Sequence, residues 1–340
     1  MDLSQPIKLA FVGCGGIAQA HWRGLQAHVP QIKLTTVIDS NPEAATKMAE
    51  QTGAQPFFSL ESALEQGDFT AVDIMLPHNL HAEAAIRAFA AGKHVVLEKP
   101  MAPTLAECER ILAAAQQAGT IFMVAEQAQY WPDVCKAQQM IQDGVIGDVI
   151  TARAFFGGPV PQQPPTIRPW RYDKAIAGGG ITIDGGAHWI RPLRMWLGEV
   201  DEVVAVTGRP MADMEGESLT RALLRFRSGT VALFDALVGG VAMGPGDEFR
   251  ITGTKGELLI ERGLNGRLLL FNQEHPQGQQ IMSKGNGRDA SFGYELADFA
   301  SAVLQGTSLV APPEYSLGEL RTALAIYRSA ESHQWEKVWE

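Results

Sequence analysis

The run Ile7-Lys8-Leu9-Ala10-Phe11-Val12, followed by Gly13-Cys14-Gly15-Gly16-Ile17-Ala18, decides how this chain folds. A short apolar stretch meets a G-x-G-x-x-A turn, and a helical pattern continues to about His28. Strand, glycine turn and helix in that order are what a dinucleotide-binding βα unit needs. Gly13 permits the tight turn, Gly15 lets the backbone approach a pyrophosphate, and Ala18 is small enough for close helix–strand packing. Gly16 and Ile17 open the helix, whose free N–H groups and positive dipole end favour phosphate.

Working outward, a second apolar run, Lys33 to Ile38, ends in Asp39. A carboxylate about 20 residues past such a turn accepts hydrogen bonds from ribose hydroxyls and repels a 2′-phosphate. Ser40, Asn41 and Pro42 follow, with no Arg, so NAD is expected rather than NADP. The same Asp also suits the cap of a helix starting near Pro42. Helical patterns over 42–52, 60–66, 81–91 and 105–118 then alternate with strand-like runs at 71–76, 94–97 and 121–125. Such alternation predicts an α/β fold with a Rossmann-type, doubly wound parallel sheet. Its ligands lie at the carboxyl ends of the strands. Leu76, Pro77, Asn79, His81, Glu98, Lys99 and Gln127 stand there and are expected to line the cofactor cleft. A Lys at that place can polarise a substrate oxygen. Against this stands the plainer reading of Glu98 and Lys99 as a surface ion pair worth little.

Past a linking helix at 133–143, Ile150–Phe156 reads as a strand. The Pro-rich stretch 157–168 then excludes a helix or central strand and suits a stiff loop before Trp170 and Arg171. Six further strand-like runs between Val200 and Phe271, with Gly-containing turns, predict an α+β domain with an open, mainly antiparallel sheet. One face of that sheet needs a cover, so a homodimer or homotetramer is expected. Helices are expected over 292–304 and 317–335, the last packing back toward the nucleotide domain. The expected domains are 1–127, 128–316 and 317–340.

Within this half stands Gly178-Gly179-Gly180-Ile181-Thr182-Ile183-Asp184-Gly185-Gly186-Ala187-His188. Read as a helix running on to Trp196, it places Asp184 and His188 on one face, about a turn apart. A carboxylate there holds one imidazole tautomer and raises its proton affinity, as a general acid/base requires. An incidental His in an ordinary helix start is the plainer alternative. Met211, Met214, Met243 and Met282 read as packing residues. Asp73, His78 and His81 read as cofactor contacts or caps, and no metal is expected.

The net charge of −10 argues against nucleic acid or anionic membrane as a main partner. No run of about 18 apolar residues suggests a membrane span. The first residues lack the basic and apolar regions of a secretory leader. Cys14, Cys108 and Cys135 are scattered and odd in number, with neither metal nor disulfide spacing. A reducing cytoplasm is expected.

These pieces together resemble the Gfo/Idh/MocA oxidoreductases, the family of glucose–fructose oxidoreductase and inositol dehydrogenase. The resemblance covers essentially the whole chain. It rests on Gly13–Ala18, on His81–Pro100 with its closing Glu-Lys-Pro, on Trp170-Arg171, and on Gly178–His188. It implies Lys99, Asp184 and His188 as the catalytic trio, with Trp170 and Arg171 on a loop reaching cofactor or substrate. Gln127 and Tyr294 match positions that often line such sites. The implied activity is NAD-dependent hydride transfer at a secondary alcohol or ketone of a sugar, cyclic polyol or related diol. Either His188 or Lys99 could carry the proton. An NAD-binding sensor without catalysis, and an NAD-assisted glycosidase or epimerase with internal redox cycling, are the alternatives. Where many members carry an Asp three residues after the His, this chain has Arg191. That residue is expected at the surface or an interface, or else facing an anionic substrate group.

Overall fold

The glycine turn and its flanks form as the pattern requires. The computed structural model describes residues 6–159, 169–240, 247–261, 266–283 and 288–339. In chain order β1 (Ile7–Val12), α1 (Gly16–His28), β2 (Ile32–Ile38), α2 (Pro42–Thr52), β3 (Gln55–Phe57), α3 (Leu60–Gln66), β4 (Ala71–Ile74), α4 (His81–Ala90), β5 (His94–Glu98), α5 (Leu105–Ala118) and β6 (Phe122–Ala125) alternate. They are followed by α6 (Pro132–Gln142), β7 (Val149–Pro159), α7 (Lys174–Ala177), α8 (Ala187–Leu197), β8 (Val200–Gly208), β9 (Leu219–Phe226), β10 (Val231–Gly239), β11 (Asp247–Gly253), β12 (Gly256–Glu261), β13 (Leu268–Asn272) and β14 (Gln279–Met282). The chain closes with α9 (Ser291–Gln305), α10 (Leu317–Ser332) and β15 (Glu336–Lys337). It divides into two units, residues 1–127 with 289–317, and residues 128–288 with 318–340.

The first unit holds a six-stranded sheet in the order β3-β2-β1-β4-β5-β6, parallel throughout. Strands buried on both faces are apolar nearly end to end, and Leu9, Ala10 and Phe11 of β1 are fully buried. β1 lies at the centre, between β2 and β4. Its carboxyl end therefore sits where the strand order reverses, the place such sheets offer a ligand.

The unit borrows α9 from far along the chain. Sequence reading put this segment in the second domain. Instead its apolar side, Leu296, Phe299 and Ala300, joins the core of α1 and the parallel sheet. Contact between the helices is main chain on main chain. A Cβ on Gly24 would stand 2.6 Å from the Gly293 nitrogen, and one on Gly293 would stand 2.7 Å from the Gly24 oxygen. Gly24→Ala should therefore destabilise the protein despite alanine's better helix propensity. Overpacking costs about 1–3 kcal/mol, against a propensity gain of up to about 1 kcal/mol. Denaturant unfolding should show a lower midpoint. An unchanged midpoint would mean the helices do not cross this closely.

The second unit holds a nine-stranded sheet in the order β14-β13-β12-β11-β7-β10-β9-β8-β15. Only β7 and β10 pair in parallel, the remaining neighbours being antiparallel. Helix α8 lays Trp189, Ile190, Leu193 and Trp196 into a core shared with Ala152, Phe234 and Phe249. Val206 and Leu223, on β8 and β9, remain exposed. Contrary to the reading of 157–168 as loop, β7 runs on to Pro159. Its pairing with β11 stops at Ala154, while that with β10 continues to Pro159. The last residues thus have one partner strand, which a proline tolerates. Residues 160–168 and Met243 lie outside the described residues.

The C-terminal segment also differs from its expected packing toward the nucleotide domain. β15 pairs with β8, Val338 enters the second unit's core, and the Trp339 indole N–H donates to the Val200 carbonyl at 2.8 Å. No helix among the described residues is long and apolar enough to cross a membrane.

Candidate active site

In the first unit the glycine turn is shaped by sterics. Gly13 has φ +98°, and a Cβ there would stand 2.5 Å from the Met75 oxygen, so only glycine suits the position. Gly15 and Gly16 are exposed, and a Cβ on either would meet nothing within 4 Å. Their bare backbone faces open space at the start of α1, which has no side-chain cap and no acid in its first turn. Ile17 is half-buried and Ala18 fully buried beneath it. Asp39 follows the end of β2. Its Oδ2 accepts the Cys14 N–H at 2.9 Å and its Oδ1 accepts the Asn41 N–H at 2.8 Å. The carboxylate is thus locked beside the turn. The helix beginning at Pro42 is capped by Asn41, not Asp39.

The other strand ends carry Leu76 and Pro77, both half-buried, and exposed Asn79. Lys99 is half-buried directly after β5, its N–H shared between the Ala125 carbonyl at 3.2 Å and Glu98 Oε2 at 3.0 Å. Gln127 follows β6, and its Oε1 is buried without a hydrogen-bond partner among the described residues. A buried amide oxygen without a donor is costly in isolation and points to a ligand group. The open helix start, the locked acid and this oxygen fit a dinucleotide.

Two residues expected to touch the cofactor are committed inward. His81 is buried, with Nδ1 2.9 Å from the Pro100 oxygen and Nε2 2.9 Å from the Leu76 oxygen. Burial lowers its pKa, the two carbonyls opposing this. Both ring nitrogens lie against main-chain carbonyls, one of the Pro100 segment and one at the end of β4, so His81 does not face a ligand. Glu98 likewise spends Oε1 on His21 at 3.0 Å and Oε2 on the Lys99 N–H. The sequence missed this because both residues sit in motif-like surroundings, while their partners lie on other elements. Tyr294 is exposed and packs its ring 5.3 Å from that of His28. Among the described residues no group of three or more His, Cys, Asp or Glu could hold a metal.

In the second unit the triple glycine is a packing requirement. A Cβ on Gly179 would strike the Tyr327 hydroxyl, and one on Gly180 the main chain of Glu217. Glu217 gathers the turn: Oε2 accepts the Gly180 N–H at 2.9 Å and Oε1 the Thr182 N–H at 2.8 Å. The Tyr327 hydroxyl donates to Oε1 at 3.1 Å. Burial, then the Glu217 charge, push the Tyr327 hydroxyl well above its usual pKa, so it stays a donor. Neither Glu217 nor Tyr327 was singled out from sequence. A carboxylate inside Glu215-Gly216-Glu217 was the only local hint.

Asp184 and His188 do not share a helix. Residues 181–186 form tight turns, closed by the Gly186 N–H on the Ile181 carbonyl at 2.7 Å, and α8 starts at Ala187. Gly185 and Gly186 favour that break over a continuous helix. Asp184 therefore lies in the approach and His188 in the first turn of α8. Arg171 donates from Nε to Asp184 Oδ2 at 2.7 Å, and its guanidinium lies 4.3 Å from the Trp170 ring. Half-buried His188 lies beside the rings of Trp131 and Trp189, at 6.1 and 6.3 Å, and these two rings pack edge-on against each other at 5.6 Å. Arg288 stacks on Trp131 at 4.0 Å and pairs with Asp133 and Glu248, which pins one wall.

Arg191 is neither at the surface nor facing a substrate. It is 2% exposed, and its Nε and Nη2 donate to both oxygens of Glu319 at 2.7 and 3.0 Å. Arg194 joins the same carboxylate and also pairs with Glu199. A buried bidentate pair of this kind is structural, so Arg191 does not select an anionic substrate group.

Comparison with known proteins extends these observations over the whole chain. Residues 7–126 match the model described as an oxidoreductase family with an NAD-binding Rossmann fold, and residues 134–259 match the GFO/IDH/MocA C-terminal domain. Levoglucosan dehydrogenase of Pseudarthrobacter phenanthrenivorans is 28% identical, over 98% of this chain and 98% of that protein. The dTDP-3,4-didehydro-2,6-dideoxy-alpha-D-glucose 3-reductase of Actinomadura kijaniata is 29% identical, over 95% of this chain and 94% of the relative. Among solved structures, the WlbA dehydrogenase from Bordetella pertussis, in complex with NADH and UDP-GlcNAcA, shares the fold. Its TM-score is 0.86 at 24% identity, over 98% of each chain.

Proposed function

Because the chain belongs to the Gfo/Idh/MocA oxidoreductase family, we propose that it is an NAD-dependent dehydrogenase or reductase of a sugar, cyclic polyol or related diol. The reaction joins a secondary alcohol and its ketone. Open backbone at the start of α1, locked to Asp39, is the observation that carries the cofactor half of this reading. The substrate class is supported by sugar-acting relatives such as levoglucosan dehydrogenase.

When bound, the nicotinamide supplies the hydride acceptor or donor. His188 takes the hydroxyl proton at a ring nitrogen, and Lys99 Nζ donates a hydrogen bond to the developing alkoxide. Asp184, held by Arg171, orients the reacting groups, and Trp170 with Arg171 covers them. Leu76, Pro77, Asn79 and Gln127 line the nicotinamide end. The exposed Val206 and Leu223 on the second unit's sheet support a homodimer or homotetramer, to be tested by light scattering. The three unbridged cysteines support a cytoplasmic setting.

The test is NADH formation at 340 nm with D-glucose, levoglucosan, myo-inositol, D-glucuronate and a trans-dihydrodiol. Turnover of at least one supports the reading. Binding of NAD with no net reduction by any of them would favour internal redox cycling or sensing. Asp39→Asn keeps one oxygen for the Cys14 N–H, gives up the acceptor of the Asn41 N–H and removes the charge. It should lower the kcat/KM preference for NAD over NADP about tenfold, since a carboxylate there repels the 2′-phosphate. An unchanged preference would place selection elsewhere.

A further inference from the structure

The first unit buries a charged cluster that the reaction does not use directly. His21 on α1 is fully buried. Its Nδ1 lies 2.7 Å from Asp73 Oδ2, its Nε2 lies 3.0 Å from Glu98 Oε1, and Glu295 Oε1 is 3.7 Å from Nε2. Three elements converge on one ring: Asp73 from β4, Glu98 from β5, and Glu295 from α9, with the Phe292 ring 5.4 Å away. A neutral imidazole has one donor and one acceptor, whereas a carboxylate only accepts. Both short contacts are satisfied at once when the ring carries two protons. Glu98 then accepts on both sides, from His21 at Oε1 and from the Lys99 main-chain N–H at Oε2.

We propose that His21, as a doubly protonated ring between Asp73 and Glu98, is a positioning residue for Lys99. It fixes the Glu98 carboxylate in the orientation that holds the Lys99 main chain. The Lys99–Pro100 segment is then tied on one side through Glu98 and on the other through His81, whose Nδ1 lies 2.9 Å from the Pro100 oxygen. The surroundings agree. Burial alone would lower the His21 pKa, but the Asp73 and Glu98 carboxylates raise it well above the usual value. Glu295 is pushed the other way for an acid. Burial first, then the charges of Glu98, Asp73 and Glu126, raise its pKa well above the usual carboxyl range, although His21 opposes the shift. Neither Glu295 oxygen has a hydrogen-bond partner among the described residues.

The effect on turnover rests on the reading of Lys99 as catalytic; the positioning itself does not, so two readouts are needed. Glu98→Gln is the discriminating variant. A carboxamide accepts on one side only, so it cannot serve both a doubly protonated His21 and the Lys99 N–H. A singly protonated ring would instead accept from the carboxamide nitrogen, and the variant would fit without disturbance. In the full-length protein, hydrogen exchange at the Lys99 amide should speed up about tenfold or more in E98Q, with the Val37 amide of β2 as an unchanged control. His21→Phe, which keeps the ring and removes both donors, should do the same. If that variant does not fold, E98Q decides alone. The kcat of E98Q should fall about tenfold with NAD affinity kept within about twofold. Wild-type exchange at Lys99 in E98Q overturns the proposal. Faster exchange with unchanged kcat upholds the positioning and removes Lys99 from the chemistry.

Discussion

Replacing His188 with asparagine should lower kcat by about 10²–10⁴-fold, the worth of a positioned general acid/base. Asparagine keeps a polar group of similar reach at the first turn of α8 but cannot carry the proton. The surrounding wall should survive, because Trp131 is held by Arg288, and Trp189 is packed against Phe156 at 4.4 Å. NAD affinity should change by about twofold at most, because the groups that fit the dinucleotide belong to the first unit. A loss that appears only in KM would mean that His188 binds substrate equally in ground and transition states. An unaffected kcat would remove it from the reaction.

Lys99→Met should be nearly as damaging. Methionine keeps the length and the apolar stem but loses the ammonium that meets the developing alkoxide. Removing one donor to such a charge costs about 10²–10³-fold in kcat. The main-chain bonds of residue 99 to Ala125 and Glu98 do not depend on the side chain, so folding should be retained. Melting temperature and the NAD dissociation constant, measured beside kcat, separate this outcome from simple destabilisation. Full turnover in the variant would assign the alkoxide to another donor.

What could be read from sequence was local. The β1 turn and α1 declare themselves because strand, glycines and helix are adjacent in the chain, although the steric demand on Gly13 comes from the distant Met75 carbonyl. Lys99 was visible because charge directly after a buried strand is unusual. What escaped was set by distant partners. Arg191 looks like a surface residue until Glu319, 128 positions on, is brought against it. His21 reads as an ordinary helix position, yet Asp73, Glu98 and Glu295 all reach it in the fold. The start of α8 was misjudged for a different reason. Periodicity placed Asp184 and His188 four apart on a helix, while Gly185 and Gly186 let the chain turn before the helix begins. The assignment of α9 to the first unit had a signal in Gly293, whose use is legible only once Gly24 stands opposite it.

The proposed hydride transfer to or from NAD depends on Lys99 and His188. The most direct measurement is single-turnover absorbance at 340 nm of the K99M/H188N double variant, alongside its NAD affinity by tryptophan fluorescence. The substrate would be whichever sugar or polyol of the panel the wild type oxidises. NAD binding within about twofold of wild type and a turnover rate lower by about 10³-fold or more are expected. NADH appearing at the wild-type rate in that variant would contradict that dependence.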